Sequence, residues 1–526
     1  MTERLLSGPV AYATTQYREY NTTDQASKLE HLDTVGRAYI EQGHAPFYDA
    51  QFLEHHIAKL REEQRGSNFS FKWMPENPHG NFLKQNTHRD GYVMPEPATI
   101  ESIEKLIQDE PDLRNIVFAV YSNGYSSFRD IATYLHKEHP QIEIVAGAVG
   151  SLYDETQRLA HHILRGNQID DMRRLLDEST LDPYHISTAP SHTSTTYNGV
   201  TKNSKIGVMI SSYGCPYECD FCPTTAQYQG KYSIPHSADE IVEAIHEAHD
   251  TIAPDEPIMS LSIADPQGLG DVPVWKEVFQ RCQNMGFMVE LATTTSSKIL
   301  RQYSPDELMQ GDLCLSCVNI GVESMLSPYI KNRGVDLKKE IETYQSAGIR
   351  AVVTFIIGHD WHNLDNIWED VDKIQQLGAS SYIVSNMMME RGTTIFNRMQ
   401  SEGRLLDVPP EFEATYGYQS FRHPNFEPGF NTMVPILSQI EAKLNQGTDL
   451  FFGDEQFYLK RDNARITQIQ AQLRTRMKEI EKTVMADNSL QTDSKKGEIK
   501  RQQAQLYYDT TFRNIDLFHP YLTWNV

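Results

Sequence analysis

Beyond residue 205 the chain alternates two rhythms. Short apolar runs at 206–211, 258–263, 288–293, 313–320, 351–357 and 382–386 are separated by stretches with helical spacing at 238–249, 273–286, 304–311, 338–348 and 365–377. The apolar runs are too short for helices and read as strands of a parallel sheet, covered on both faces. Six such strands with intervening helices predict an α/β fold, and a partial (β/α)6 TIM-like barrel fits the pattern better than a doubly wound sheet. Functional groups then belong at the C-terminal ends of the strands.

The same alternation occurs upstream on a smaller scale. A helix at 100–109 leads to an apolar run at 116–120, a polar loop at 121–127, a helix at 128–136 and a second run at 142–149, the succession of a second parallel sheet. Before it, residues 1–95 read as irregular and helical, with helix-like stretches at 25–42 and 52–65 and a loop at 68–97 rich in Asn, Pro, Gly and His. Residues 154–176 read as one helix, and the Ser-, Thr- and Pro-rich segment that follows, to 205, as an interdomain connection. Past 409 the apolar rhythm weakens. A charged stretch at 465–482 predicts a helix that packs on another element or forms an exposed lid, and the aromatic tail FHPYLTWNV is expected to dock on a folded surface. The expected units are 1–95, 96–200, 201–408 and a mainly helical 409–526.

Charge and cysteine usage narrow the chemistry. With 48 basic and 71 acidic residues the net charge is −23, which argues against a nucleic-acid partner. No apolar run approaches the roughly 20 residues of a membrane helix, and the N-terminus lacks the apolar core of a secretory signal, so a cytoplasmic protein without membrane contact is expected. Three of the six cysteines fall within 215–222. In a reducing compartment that crowding points to metal rather than to disulfides.

The crowded segment reads SSYGCPYECDFCPTT, with Cys215, Cys219 and Cys222 spaced C-x-x-x-C-x-x-C just after the first strand of the larger unit. Compact thiolate spacings of this kind wrap iron-sulfur clusters, and three ligands leave one iron open. Zinc is the alternative, but it usually takes a fourth Cys or His. The spacing, with the aromatic Phe221 before the last cysteine, resembles the radical S-adenosylmethionine (SAM) superfamily. That resemblance implies a 4Fe-4S cluster whose open iron binds SAM, one-electron cleavage of SAM to methionine and a 5′-deoxyadenosyl radical, and an electron donor such as flavodoxin or ferredoxin. It also implies roles for particular residues. Glu323 and Ser324, in NIGVESML, match a segment in which the glutamate contacts SAM, and VVTFIIGH, ending at Gly358 and His359, matches the strand beneath the adenine. Asp265 matches a carboxylate placed beside the active site. The segment MMMERGTTIF is similar to a turn of the superfamily but has Arg391 where a proline is usual. Cys314 and Cys317 form a further C-x-x-C, but their odd separation in a strand sends them to opposite faces unless the strand is broken there. They and Cys282 read as structural.

The segment 115–151 resembles the cobalamin-binding domain that precedes the barrel in one branch of the superfamily, a Rossmann-like fold. The resemblance implies that cobalamin is embraced by the loop holding Ser122, Asn123 and Ser126 and by the loop that begins at Gly147. The string NTHRDG, which holds His88, resembles the histidine loop of base-off cobalamin proteins with Asn in place of Asp, but the apolar strand that should precede it is missing, so no axial histidine is assigned; some relatives in this branch bind cobalamin without a protein axial ligand. Two alternatives stay open. With cobalamin bound, methyl transfer to an unactivated carbon of a small-molecule or peptide substrate is expected; with the domain kept only as a scaffold, rearrangement, oxidation or bond cleavage is expected instead. A non-catalytic iron-sulfur sensor and an RNA methylthiotransferase are the remaining rivals.

Overall fold

The six apolar runs of the second half are strands, and they lie side by side in one sheet. The computed structural model describes residues 5–14 and most of 69–407, then scattered positions as far as 506, chiefly 420–426 and 463–491. The stretches expected to be helical at 25–42 and 52–65, and the aromatic tail, lie outside the described residues.

In chain order the first half carries β1 (Val10–Thr14), β2 (Phe69–Pro75), α1 (Pro78–Gln85), β3 (Gly91–Val93), α2 (Ile100–Asp109), β4 (Asn115–Ala119), α3 (Tyr125–Glu138), β5 (Glu143–Gly147), α4 (Asp154–Leu159), β6 (His162–Ile163) and α5 (Gln168–Leu175). Strands β3, β1, β4, β5 and β6, in that order, form a five-stranded parallel sheet. The apolar side chains of β1, β4 and β5 alternate between two cores, Ala11, Ile116 and Ile144 on one face and Val10, Val117 and Val145 on the other. Reading residues 1–95 as irregular or helical is corrected here: β1 is the inner strand on which β3 and β4 pair.

The second half carries β7 (Ser187–Tyr197), β8 (Val200–Ile210), β9 (Tyr213–Gly214), α6 (Pro223–Tyr228), β10 (Tyr232–Ser233), α7 (Ala238–Ile252), β11 (Ile258–Ile263), α8 (Val272–Arg281), β12 (Met288–Thr295), α9 (Ser297–Leu300), α10 (Pro305–Met309), β13 (Leu313–Glu323), α11 (Leu337–Ser346), β14 (Arg350–Ile357), α12 (Asn366–Gln375), β15 (Ser381–Asn386) and α13 (Thr394–Ser401). Its eight-stranded sheet has the order β15-β14-β13-β12-β11-β8-β7-β2. From β8 to β15 neighbours pair parallel and in chain order, each reached through at least one helix. The helices cover this sheet with one continuous core that includes Trp275, Phe279 and Phe355.

Three local expectations are corrected. Residues 154–176 are not one helix, because His161 N–H and Leu164 N–H donate to Ile144 and Ala146 carbonyls at 2.8 Å each and draw β6 onto β5. The supposed connection before residue 206 is largely β7 and the first half of β8, an antiparallel pair to which β2 adds an outer antiparallel strand. Cys314 and Cys317 do not face opposite ways. Ser316 is an extra residue opposite the Leu291/Ala292 step, and this bulge restores both cysteines to one half-buried face while Leu313, Leu315 and Val318 stay in the core.

The charged stretch at 465–482 lies within α14 (Asn463–Ala486). Met477 of this helix joins Ile440, Leu444 and Leu506 in the core of the larger unit, so the helix packs rather than standing free. None of the described helices is long and apolar enough to cross a membrane.

Candidate functional site

The cysteine loop leaves the C-terminal end of β8, where a parallel sheet with helical crossovers places its functional groups. Gly214, at φ +78°, lets the chain pass under the Lys231 carbonyl, which a Cβ would strike. Cys215 N–H then donates to that carbonyl at 3.2 Å and Cys222 N–H to Cys219 O at 3.1 Å, so the loop is closed on itself by its own backbone. Thr225 Oγ1 donates to Tyr217 O at 3.1 Å and ties the loop to α6. Cys215 and Cys219 are buried and Cys222 is half-buried. Burial pushes the Cys215 thiol up, and the Cys219 thiol up to about 12, while the Lys331 ammonium opposes both. A metal that binds thiols in such a place would displace their protons to solvent. Among the described residues no group of three His, Cys, Asp or Glu side chains is placed to hold a single metal ion. Three thiols on one loop are a donor set that would suit an iron-sulfur cluster.

Glu323 ends β13 at a second irregularity of that strand and holds φ +67°, a left-handed conformation uncommon for a residue with a Cβ. Its carboxylate is fixed twice: Lys331 Nζ donates to Oε1 at 2.5 Å and Thr354 Oγ1 to Oε2 at 3.1 Å. Burial works against the Lys331 charge but is outweighed by Glu323 and Cys219, which keep the ammonium protonated. Lys331 also lies 5.9 Å from the centre of the Phe221 ring, and Phe221 meets Tyr329 edge-on at 5.1 Å. Tyr329 donates to Asp220 Oδ1 at 3.2 Å and approaches His359 Nδ1 at 3.5 Å. Among the described residues no geometric hydrogen bond reaches the other nitrogen of His359, Nε2, and burial keeps this ring neutral, with its pKa well below the usual range. The cysteine loop, Glu323 and the end of β14 thus form one contiguous rim.

Ser324 turns away from that rim. Its Oγ donates to Asp370 Oδ2 at 2.5 Å, and Asp370 Oδ1 accepts from Met325 N at 2.6 Å. Gly358 N–H donates to His362 Nδ1 at 3.2 Å, so Nε2 carries the proton it shares with Asp370 Oδ2 at 3.1 Å. Asp370 therefore ties the end of β13 to Gly358 at the end of β14, a positioning role that sequence reasoning missed because the four residues are scattered over 324–370. Asp265, just past β11, is likewise engaged: Ser211 N donates to Oδ1 at 2.9 Å, and the Ser211 and Ser212 hydroxyls donate to Oδ2 at 2.6 and 2.8 Å. Burial raises its pKa to about 6 against those hydrogen bonds. It anchors the start of the cysteine loop.

The two sheets point their C-terminal ends at one another across a cavity of about 210 Å³. Tyr12 and Ala13 of β1, Ala119 at the end of β4 and Gly147 at the end of β5 line one side; Ser212 and Ala264, just past β8 and β11 of the larger sheet, line the other. Ligands of open α/β sheets bind at such strand ends, where the strand order reverses, and here β3 and β4 flank β1 on opposite sides. A second cavity of about 700 Å³ shares Tyr213, Gln227 and Tyr228 with the first and carries Arg165 and Arg174 on its wall. That volume is within the roughly 300–1,000 Å³ of ligand pockets. The small residues at the strand ends and the polar outer wall fit a large ring with polar edges. Gly147 is at the cavity as expected. Ser122 instead donates to Glu390 Oε2 at 2.5 Å, Ser126 is half-buried in the first turn of α3, and Asn123 lies in a short turn with its side chain outside the described ones. His88, whose position in the sequence counts against a role as cobalt ligand, has a ring 69% exposed that bonds Asp182 at 3.0 Å, and it is not among the cavity-lining residues.

No protein-family model matches the chain, and no curated protein matches it. Two of the solved structures it resembles are of TsrM, a radical S-adenosylmethionine methyltransferase from Kitasatospora setae. The one with cobalamin and a 4Fe-4S cluster bound is 10% identical with a TM-score of 0.45, over 76% of this chain and 75% of that one. The one with tryptophan substrate and the SAM analogue aza-SAM is also 10% identical with a TM-score of 0.45, over 77% of this chain and 78% of that one.

Two further residues of these sites were not singled out in the sequence. Lys331 gave no signal, since its partner Glu323 is met only after the chain turns back. His79, which lines the cavity, did have one: Asn77 followed by Pro78 is a helix start, with Asn77 accepting from Gly80 N at 2.8 Å, inside a segment read as loop.

Proposed function

We propose that the chain is a radical SAM enzyme in which Cys215, Cys219 and Cys222 hold a 4Fe-4S cluster and SAM binds the iron they leave open. The run of six parallel strands in chain order is read as its partial barrel. The observation that carries the proposal is the rim itself, where three thiols on one loop at the end of β8 face a buried Glu323–Lys331 pair close enough for Lys331 to act on Cys219 and Cys222. When bound, cluster and SAM supply hydrogen abstraction from an unactivated carbon through one-electron cleavage of SAM. The residues of the chain orient and enclose. Lys331 and Glu323 present a fixed charge pair, Asp265 and Asp370 hold the strand ends that carry the loops, and the buried rim keeps water from the reacting groups. The cavities between the two sheets are the proposed seat of cobalamin, with Gly147 on their wall. The reaction is then methyl transfer to a small-molecule or peptide substrate, with a flavodoxin or ferredoxin as electron source.

The test is anaerobic cluster reconstitution with cobalamin present, followed by absorption spectroscopy and detection of 5′-deoxyadenosine after reduction with SAM. Wild-type protein is expected to retain iron and corrin and to form 5′-deoxyadenosine; Cys219→Ala is expected to lose the cluster and the product. Product without retained corrin would remove methyl transfer and leave the radical chemistry. Iron-loaded, reduced protein that forms no 5′-deoxyadenosine would overturn the proposal.

A further inference from the structure

The cavity between the sheets contains an imidazole that nothing around it uses. Asn77 caps α1 from a left-handed conformation and pins that helix down, its Nδ2 donating to Tyr12 O and Met94 O at 3.2 Å each. Two residues on, His79 is thereby fixed at the ends of β1 and β3, its ring tilted against Tyr121 at 5.6 Å, beyond the end of β4. Among the described residues neither ring nitrogen of His79 has a hydrogen-bond partner. His79 is an exposed residue and lines this cavity.

The surroundings leave this nitrogen without a rival. Among the described residues lining the cavity of about 210 Å³ there is no Cys, Asp, Glu, Lys, Arg or second His. The remaining polar groups are hydroxyls and amides such as Ser212, Thr224 and Gln168, weak ligands for a transition metal beside an imidazole. Enclosure lowers the His79 pKa to about 4. At neutral pH the ring is therefore uncharged, the form in which histidine binds metals.

We propose that His79 is the protein ligand to the cobalt of cobalamin held in this cavity. The inference rests on the cobalamin part of the proposed function and assigns a ligand where the sequence assigns none.

The test is electron paramagnetic resonance of the full-length, reconstituted protein loaded with cob(II)alamin, grown with natural-abundance or 15N-labelled histidine. Ligation by His79 predicts nitrogen splitting of the cobalt lines as triplets in unlabelled protein and as doublets in labelled protein. In His79→Ala the splitting is lost while corrin absorption of the purified protein remains, and in His88→Ala it is unchanged. A spectrum without nitrogen splitting overturns the proposal. So does a triplet that ignores the label, which would come from the nucleotide base of cobalamin, or a splitting that survives in His79→Ala. Protein that retains no corrin overturns both this ligand and the cobalamin reading, while its yield of 5′-deoxyadenosine reports separately on the radical chemistry.

Discussion

Gly321 shows how little room the rim leaves at the level of single atoms. A Cβ there would sit 2.5 Å from Glu323 Oε1 and would run into Lys331 Nζ. Neither partner can yield cheaply. Glu323 is already in a left-handed conformation, which costs an L-residue roughly 1–2 kcal/mol, and its other oxygen is held by Thr354. Lys331 cannot swing away without leaving a buried carboxylate unpaired, a loss of about 3–5 kcal/mol. Gly321→Ala is therefore expected to keep its iron, because the cysteine loop is untouched, and to bind SAM about ten-fold or more weakly, a change of roughly 1.4 kcal/mol or more. Anaerobic equilibrium dialysis of iron-loaded protein reads both quantities. An unchanged SAM affinity would mean that the charge pair at the end of β13 does not meet SAM.

At the scale of elements, β13 carries both irregularities that place the site, and they differ in what they tolerate. Ser316 is the extra residue of the first bulge, with Leu313, Leu315, Val318, Ile320 and Val322 in the core around it. Removing Ser316 leaves a strand of plain alternation with the same side chains on the same faces. Removing Asn319 pushes Ile320 and Val322 out of the core, at about 1.5–3 kcal/mol each, a large share of a typical stability of roughly 5–15 kcal/mol. Deletion of Ser316 should give folded protein with a modestly lowered melting temperature, and deletion of Asn319 insoluble or unfolded protein; equal behaviour of the two would refute the register. The same strand marks what was legible beforehand. Its apolar run and its C-terminal glutamate could be read from local pattern, whereas the bulge that reunites Cys314 with Cys317 could not, because an extra residue is visible only against the partner strand. Distance in sequence explains the other omissions. β1 is five residues long and pairs with strands some 80 and 105 residues away. β7, largely Ser and Thr, is a strand because β8 and β2 pair with its backbone, not because of an apolar face. The cysteine motif is local and was read in full; the cavity is assembled from strand ends spread over both sheets and was not.

At the scale of the whole molecule, side-chain contacts form a seam between the two units, and that seam buries a carboxyl group. Ser122, in the turn after β4, donates to Glu390 Oε2 at 2.5 Å, and Glu390 follows β15 of the other unit. The next residue, Arg391, pairs with Glu413 through two bonds of 2.6 Å and lies 4.8 Å from the centre of the Tyr153 ring, so the position where a proline is usual instead supplies a cation that reaches across. Arg391 thus pairs with Glu413, and among the described residues no cation pairs with Glu390. Burial pushes the Glu390 carboxyl up from 4.5 to about 7; the Ser122 hydrogen bond opposes this, and the nearby Glu413 charge adds to it. A folded-state pKa above the unfolded one means that the folded chain holds the proton more tightly. The resulting stability is complete below about pH 4.5 and is lost as the pH rises through about 7. Glu390→Gln keeps an acceptor for Ser122 and has no charge to bury. Its melting temperature is expected to exceed that of the wild type at pH 8.5, by the equivalent of up to about 3 kcal/mol, and to converge on it near pH 5. Parallel curves of melting temperature against pH for the two proteins would show that Glu390 is already ionised in the folded seam, and that alkaline pH does not loosen the wall of the cavity.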